Sequence, residues 1–289
     1  MKVMKKEYCY AGISIFLWST TATVTKLLLG SLNSMQIMLA SSLFSFVFLF
    51  FFNLAKGTFL ELKTYKLTDY VQISVIGTIG IFLYHLFLYL GIDRMNASQA
   101  FIINYLWPMM TMVFACILLK EKMTLQKGIA IFLSFLGVVQ VTANGNLLQV
   151  EKSSIVGAVY CIMAALSYGL FCVLNKQKRY NKYLSMMLYY FVAMLISLFY
   201  IVFTKDWFVL SWSQTAGMFW IGVFTTAIAF TTWALALAKG DTAKISNLAY
   251  ITPFLSLVWT WLILKEPLTL SSVVGLVMIV AGILIQLKK

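Results

Sequence analysis

The chain has 289 residues, of which 62% are hydrophobic and 11% are charged. This composition excludes a soluble globular domain and a disordered chain. In a soluble protein the net charge of +13 would suggest nucleic acid binding. Here the charges lie almost wholly in short connections between apolar segments, so no nucleic acid partner is predicted.

Apolar segments long enough to cross a bilayer as helices recur along the whole chain. The first follows Lys2, Lys5 and Lys6 and so resembles a signal peptide. It is too long for the apolar core of a signal peptide, and no small-residue cleavage site follows, so we interpret it as a retained span. The sequence predicts an all-α polytopic membrane protein with ten transmembrane helices, at residues 8–29, 34–54, 69–91, 97–119, 124–143, 154–175, 184–204, 213–238, 242–264 and 269–287.

The basic residues predict the orientation of these spans. Most of the 22 Lys and Arg residues fall in the tails and loops on one side of the predicted bundle. Lys and Arg are enriched in cytoplasmic loops. We therefore expect a multi-pass protein of the cell (inner or plasma) membrane with both termini in the cytoplasm.

Two interior prolines, Pro108 and Pro253, mark an internal repeat. They lie 145 residues apart, and each span ends in the same three residues, Leu119-Lys120-Glu121 and Leu264-Lys265-Glu266. Proline removes a backbone donor and clashes with the preceding turn. Within a bilayer, neighbouring protein groups must satisfy the freed carbonyl, so both prolines predict helix breaks that face protein or a cavity.

The repeat divides the chain into two five-span units, residues 1–145 and 153–289. Five is an odd number, so the second unit is predicted to enter the membrane in the opposite orientation. Such inverted repeats allow a carrier to alternate between inward-open and outward-open shapes around a central site, and matching interrupted spans point to that site.

Polar and aromatic side chains within the spans predict the contents of that site. Asn104 lies beside Pro108, which favours a hydrogen-bonding role in a cavity over helix packing alone. Tryptophan and tyrosine usually anchor span ends at the membrane interface, but several here lie inside spans, as expected for a cavity that binds a small organic solute. The predicted substrate-binding residues are Trp18, Tyr84, His85, Asn104, Tyr105, Trp107, Tyr168, Trp233 and Tyr250.

Two ionisable residues within the spans each allow two interpretations. His85, the only histidine, could relay protons as a coupling residue, or it could be a neutral packing residue among aromatic rings. Lys26 is predicted to extend its long side chain to the membrane interface. The alternative for Lys26 is binding of a substrate carboxylate.

Several function classes lack the residues they would need. All nine acidic residues lie at span ends or in loops, which argues against a carboxylate-dependent cation antiporter. The sequence has no HExxH motif and no GxxxxGK[ST] loop. The four cysteines, Cys9, Cys116, Cys161 and Cys172, have no metal-site spacing. We therefore predict no enzyme activity, no cofactor and no metal.

Short motifs resemble a known family. They are Leu17-Trp18-Ser19-Thr20, Asn104-Tyr105-Leu106-Trp107-Pro108, Asn175-Lys176 and Thr252-Pro253. With them the whole chain resembles the ten-span, EamA-type members of the drug/metabolite transporter superfamily, and among these the bacterial aromatic amino acid exporters. The resemblance implies an export carrier with a central cavity between two EamA-like repeats. It places Trp18, Asn104, Tyr105, Trp107 and Trp233 in or near that cavity.

Three hypotheses follow. The first is a secondary transporter that exports a small aromatic or amphipathic metabolite, above all an amino acid. The second is an importer or facilitator of another small organic solute, such as choline, held by cation–π contacts. The third is a membrane scaffold or lipid-modifying partner that does not transport and has solid packing at Pro108 and Pro253. The sequence leaves open the exact substrate, the direction of transport and the coupling ion.

Overall fold

The computed structural model describes residues 6–118, 120, 124–143, 151–178, 180–239, 248–249 and 251–287. Within these ranges every regular element is helical. Seven helical segments are long and apolar enough to cross a membrane, and three shorter apolar helices accompany them. The predicted all-α polytopic class is confirmed, whereas the count of ten spans stays a prediction.

The helices begin and end close to the predicted span boundaries. Some ends carry local stop and start signals: Asn33 caps a helix through the backbone N–H groups of Met35 and Gln36, and Gly57 ends that helix in the left-handed conformation (φ 66°). The helices are α1 (Lys6–Ser19), α2 (Thr21–Leu29), α3 (Ser34–Lys56), α4 (Leu67–Gly77), α5 (Tyr84–Arg94), α6 (Ala97–Asn104), α7 (Trp107–Leu118), α8 (Leu125–Ala143), α9 (Lys152–Gln177), α10 (Lys182–Thr204), α11 (Trp212–Phe219), α12 (Ala229–Lys239), α13 (Ile251–Trp259) and α14 (Leu270–Leu287).

The fourth span is broken, as its proline predicts, but the break precedes the proline. Helix α6 ends at Asn104, and the chain turns at Tyr105 and Leu106 before α7 begins. Pro108 therefore lies in the first turn of α7, where its missing N–H needs no partner within the helix. The turn closes on itself, because the Leu106 N–H donates to the Ile103 carbonyl (3.0 Å).

Pro253 has the same position in the first turn of α13. Ala249 lies in a turn, and the Thr252 N–H donates to its carbonyl at 3.0 Å. Thr252 and Pro253 are both buried, and Pro108 is half-buried. The two interruptions therefore face protein, as the bilayer requires of unpaired backbone.

Two spans contain wide π-helical turns at corresponding places. One turn, Thr78–Leu83, joins α4 to α5, and the other, Trp220–Ile228, joins α11 to α12. The first turn, shifted by 145 residues, falls inside the second. Such turns change the direction of the side chains that follow and frequently occur at functional sites.

Helices α3 and α10 run antiparallel and are joined at both ends by matching polar contacts. At the start of α3, Gln36 Nε2 donates to Asp206 Oδ1 (3.1 Å), just beyond the end of α10. At the start of α10, Asn181 Nδ2 donates to Glu61 Oε1 (2.7 Å), beyond the end of α3. Asn181 corresponds to Gln36, and Asp206 to Glu61, at the 145-residue shift. The end of the bundle that contains Gln36 and Asp206 is called the far end below.

Other helix contacts are reciprocal in the same way. Helix α1 packs against α12 and α13, and α9, which corresponds to α1, packs against α5 and α7. Helices α8 and α14 form another closely packed pair. Ser271 Oγ at the start of α14 donates to the Gln140 carbonyl near the end of α8 (2.6 Å), so these two helices are also antiparallel.

Gly137 and Gly275 allow α8 and α14 to approach closely. A Cβ atom on Gly137 would lie 2.8 Å from the Gly275 carbonyl oxygen and 2.7 Å from Ile279 Cγ1. Close approach through small residues is the usual basis of helix packing in lipid, where the hydrophobic effect contributes little.

We expect Gly137→Val to destabilise the folded protein, because the added side chain meets backbone atoms of α14 that have no room to move. The cost should be about 1–3 kcal/mol, as for other overpacked sites. Gly128→Val on the same helix is the matched control, since a Cβ there has nothing within 4 Å. Thermal unfolding in detergent is the measurement, and equal midpoints for the two variants would contradict this packing.

Candidate functional site

A cavity lies where the broken span, the two π-turn spans and the central helices α1 and α9 meet. Its walls come from α1 and α2, from α5 to α7, from α9, and from the end of the second π turn with the start of α12. The lining residues are Trp18, Thr21, Tyr84, His85, Leu88, Phe101, Asn104, Tyr105, Trp107, Tyr168, Thr225, Thr226 and Phe230. The cavity therefore draws residues from both predicted repeats.

Aromatic rings frame the cavity, with Tyr168 of α9 at their centre. Its ring centroid lies 4.7 Å from that of Tyr84, 5.0 Å from Trp107 and 5.8 Å from Phe230. The ring of Trp18 packs against Phe230 at 5.2 Å. Edge-to-face pairs of this kind contribute about 0.5–1.5 kcal/mol each beyond their burial, so the frame is stable without a ligand.

Seven of the nine predicted site residues line this cavity: Trp18, Tyr84, His85, Asn104, Tyr105, Trp107 and Tyr168. Trp233 is a neighbour of the cavity, because its ring packs against Trp18 at 5.2 Å without reaching the lining. Tyr250 lies outside the described residues. Binding of a substrate by these residues stays a prediction.

Local backbone geometry positions the polar members of the set. Asn104 is the last residue of α6, so the turn that follows leaves its side chain at the point where the helix stops. Tyr84 and His85 come directly after the π turn of the third span. The predicted break near Pro108 and the π turn, which the sequence did not predict, thus both supply cavity residues.

Two buried polar atoms in the cavity have no hydrogen-bond partner, Trp18 Nε1 and Asn104 Oδ1. The other end of the Asn104 amide is occupied, because Nδ2 donates to the Tyr84 hydroxyl oxygen at 3.3 Å. Buried polar groups are almost always paired, and leaving one unpaired costs about 1–3 kcal/mol. Among the described residues eleven buried side-chain atoms are unpaired in this way, and these two are a donor and an acceptor on residues that line the same cavity.

His85 is buried among rings rather than beside an acid. Its Nδ1 lies 2.8 Å from the Ile81 carbonyl one turn earlier in its own span. The nearest rings are Tyr84 at 4.7 Å and Tyr89 at 5.9 Å. Because the ring also borders the cavity, this geometry fits the packing interpretation and still gives His85 access to a solute.

Among the residues that the structure describes, no Lys, Arg, Asp or Glu lines the cavity. Thr225 and Thr226 of the π turn donate their hydroxyls to the Ile221 carbonyl at 3.0 and 2.9 Å, so they offer mainly acceptor oxygens to the cavity. The described lining therefore offers rings and neutral polar groups to a solute.

Sequence reasoning did not select Thr21, Leu88, Phe101, Thr225, Thr226 or Phe230 as binding residues. These residue types are ordinary in a packed span. Their position in the lining depends on helix rotation and on the π turn, which periodicity does not reveal. The repeat gives a partial indication. Thr225 and Thr226 lie in the π turn of the eighth span, which corresponds to the π turn of the third span at the 145-residue shift.

The cavity is nearly closed in this conformation. The space open to the centres of water molecules is about 30 Å³, enough for one or two waters. Pockets that hold metabolite-sized ligands measure about 300–1,000 Å³. Binding of a metabolite therefore requires the surrounding helices to move apart.

Comparison with known proteins identifies the family. The sequence profile of the EamA-like transporter family matches residues 5–143 and matches again over residues 155–287. The chain belongs to this family, which is part of the drug/metabolite transporter superfamily. It is a membrane transporter for a small-molecule substrate and not an enzyme, as the sequence predicts.

Similar proteins extend over the whole chain. An uncharacterized transporter of Archaeoglobus fulgidus is 23% identical and covers 98% of this chain and 99% of its own. An uncharacterized transporter of Clostridium kluyveri is also 23% identical, over 98% of this chain and 93% of its own. A crystal structure 18% identical in sequence superposes with a TM-score of 0.71, over 98% of this chain and 97% of the other, and shows the same fold.

The unpaired Trp18 N–H generates a prediction. Trp18→Phe keeps a ring in place but removes the free donor, so we expect transport to weaken about tenfold, the equivalent of one hydrogen bond of 1.4 kcal/mol. The same change should cost less stability than the loss of a hydrogen-bonded indole, since only packing and no internal hydrogen bond is lost.

Trp259→Phe is the matched control for this substitution. Its Nε1 donates to Ser19 Oγ at 3.0 Å, so the same exchange removes a satisfied bond and should lower the unfolding midpoint. The measurements are transport rate against solute concentration, and thermal unfolding in detergent. A loss of stability in Trp18→Phe equal to that in Trp259→Phe, with transport intact, would contradict a ligand-facing donor.

Proposed function

Because the chain belongs to a transporter family, we propose that it is a secondary carrier that exports a small aromatic or amphipathic amino acid. One observation carries this proposal: a ring-lined, uncharged cavity contains one free buried donor, on Trp18, and one free buried acceptor, on Asn104. A zwitterionic amino acid has an acceptor, its carboxylate, and a donor, its ammonium group, on neighbouring atoms.

The proposed binding arrangement follows from these groups. The carboxylate accepts from Trp18 Nε1, and the ammonium group donates to Asn104 Oδ1. An apolar or aromatic side chain then lies against Tyr168, Trp107 and Phe230; the rings of Trp107 and Phe230 each lie within 6 Å of the Tyr168 ring. Since the described lining offers no charged partner to either group of the zwitterion, these two hydrogen bonds, with the attraction between the solute's own charges, must offset the desolvation of its carboxylate and ammonium.

Transport by alternating access is the second part of the proposal. The two five-span units, residues 1–145 and 153–289, would form an inverted repeat of ten transmembrane helices, with Pro108 and Pro253 at the interruptions beside the cavity. The family profile matches twice along the chain. The corresponding helices α3 and α10 run antiparallel, as do α8 and α14. An inverted repeat requires these orientations.

The direction and location follow from the same arrangement. With Lys and Arg concentrated on the side of the termini, we place both termini in the cytoplasm and the protein in the cell (inner or plasma) membrane. The far end then faces outward. Export would load the cavity from the cytoplasmic side, and the nearly closed cavity represents a step between loading and release.

Choline or another quaternary ammonium is a second candidate, favoured by a different feature of the cavity. At least four rings converge around Tyr168, and no Lys or Arg is present in the lining to bind a carboxylate. Cations over tryptophan and tyrosine faces gain about 0.5–2 kcal/mol each. A quaternary ammonium group neither donates nor accepts a hydrogen bond, so choline could use the Trp18 donor only through its neutral hydroxyl oxygen. The charged carboxylate of an amino acid is the stronger acceptor, which is why the amino acid is our first proposal.

Substrate exchange in proteoliposomes tests the proposal. Vesicles preloaded with unlabelled aromatic amino acid should accumulate the labelled compound by counterflow, and preloading with choline should not. Asn104→Ala and Trp107→Ala should reduce the rate by about tenfold or more, because each removes a hydrogen-bonding group or a ring worth about 1.4 kcal/mol. Trp212→Ala, which removes an exposed ring far from the lining, is the control.

Two results would contradict the assignment. Counterflow of choline that depends on Trp18 and Tyr168 but not on Asn104 would favour the second candidate. Full transport by correctly folded Asn104→Ala and Trp107→Ala variants would remove this cavity from the transport path.

His85 is our candidate for coupling to protons, since it is the residue type in the lining whose charge ordinarily changes near neutral pH. We expect His85→Gln to transport at neutral pH but to lose its dependence on an imposed proton gradient. Glutamine retains a donor that can reach the Ile81 carbonyl, so the fold should survive. The measurement is counterflow and net efflux between pH 5.5 and 8; an unchanged pH profile would exclude His85 from coupling.

A further inference from the structure

Two charged side chains meet one short turn at the far end of the bundle. Helix α5 ends at Arg94 and α6 begins at Ala97, so only Met95 and Asn96 separate the two helices. Lys26, in the last turn of α2, approaches this turn from one side. Its Nζ donates to the carbonyl oxygens of Ile92 (2.6 Å) and Met95 (2.9 Å).

Glu266 holds the other side of the same turn. Its Oε1 accepts from the Ala97 N–H at 2.7 Å. Its Oε2 accepts from the Ser98 N–H at 3.0 Å and from the Ser98 hydroxyl at 2.7 Å. Glu266 follows the end of the ninth span, where Lys265 takes a left-handed conformation (φ 59°) that ends the π turn Thr260–Leu264.

Both charges are placed favourably for the backbone they contact. A cation at the carbonyl end of α5 and an anion at the amide end of α6 each complement the helix dipole. Their hydrogen bonds are charge-assisted and therefore stronger than neutral ones. In the part of the chain that the structure describes, neither side chain forms a salt bridge, so both charges are directed to backbone groups.

This contact of Lys26 was not predicted from the sequence. The Lys26 Nζ binds backbone carbonyls at the end of a neighbouring span. The corresponding position in the second repeat is Phe171, which faces Tyr168 with ring centroids 5.7 Å apart. Of these two corresponding positions, the first carries a lysine and the second a phenylalanine. Helix packing alone does not require this difference.

Helix α6 connects this turn to the cavity. It has eight residues, so Ala97 at its start and Asn104 at its end are about 10 Å apart along the axis. All eight residues are buried. A movement of the start of α6 is therefore transmitted as a rigid element to the amide that lines the cavity.

We propose that Lys26 and Glu266 form a clasp that keeps the far end of the carrier closed and that opens when the cavity opens to that side. The clasp joins the first, third, fourth and ninth spans at one point. Release of the turn between α5 and α6 lets this end spread, and the cavity gains the volume that a metabolite needs. Lys26 and Glu266 are positioning residues, since neither lines the cavity.

Thiol accessibility tests the clasp without knowledge of the substrate. A variant with Cys9, Cys116, Cys161 and Cys172 changed to alanine would carry a single cavity thiol, Thr21→Cys. A membrane-impermeant maleimide is then added to one side of oriented vesicles at a time. A second variant with Ser31→Cys, at the exposed end of α2, identifies the far side.

We expect Lys26→Met and Glu266→Gln each to speed alkylation of the cavity thiol from the far side by about tenfold, because either change removes charge-assisted bonds that favour the closed state. The double variant should add little to either single variant, since both release the same turn. Lys26→Arg, which can still donate to the carbonyls, should restore slow alkylation. Lys152→Met and Glu151→Gln, exposed charges on α9 and at its start, are the matched controls.

Other outcomes would overturn the clasp. Unchanged far-side alkylation in folded Lys26→Met and Glu266→Gln variants would show that the contacts do not hold this end closed. Equal acceleration from both sides, together with a lower unfolding midpoint, would indicate a purely structural role. Because the thiol measurement needs no transported solute, a wrong substrate proposal leaves this result unaffected.

Discussion

The need to satisfy every backbone hydrogen bond inside a bilayer governs where this protein can be irregular. A break in a spanning helix is tolerated only where neighbouring protein supplies partners, and the break at Tyr105 and Leu106 meets this condition because both residues are buried. The turn between α5 and α6 is the other case: two polar residues from other spans, Lys26 and Glu266, pair with backbone groups that end or begin a helix. At these two places irregular backbone and polar side chains occur together, and one of them borders the cavity.

The binding chemistry follows from the same constraint. Asn104 is the last residue of α6, and the oxygen of its side-chain amide has no hydrogen-bond partner. Where the π turn ends, Tyr84 and His85 are directed into the same space. Aromatic rings fill the rest, because they supply large surfaces with few polar atoms that would need pairing in so dry an environment. The described lining is thus neutral, and in the proposed arrangement selection of a solute rests on shape and on two hydrogen-bonding atoms.

The sequence predicted features that depend on chain-local signals. Span ends, the interruption near Pro108 and the presence of Trp18, Asn104 and Tyr168 in one cavity all follow from hydropathy, proline chemistry and polar residues inside apolar runs. It did not predict features that depend on how helices rotate against each other. Phe230 lines the cavity while Trp233, three residues later, packs behind Trp18, and no periodic pattern distinguishes them. The contacts of Lys26 were not predicted either, because its carbonyl partner Ile92 belongs to a span 66 residues further along the chain.

The proposed repeat explains why its two copies differ at one instructive position. Lys26 in the first unit corresponds to Phe171 in the second. The lysine contacts backbone at the far end, whereas the phenylalanine packs on Tyr168 beside the cavity. Two identical units would close both ends of the carrier by identical contacts and would favour neither open state. The Lys26 contact, which Phe171 cannot make at the corresponding place, makes the two closures energetically different, because its strength depends on desolvated charge and not on packing. An asymmetric carrier of this kind can rest with one end closed, and loading from the opposite side then requires no prior release of the clasp.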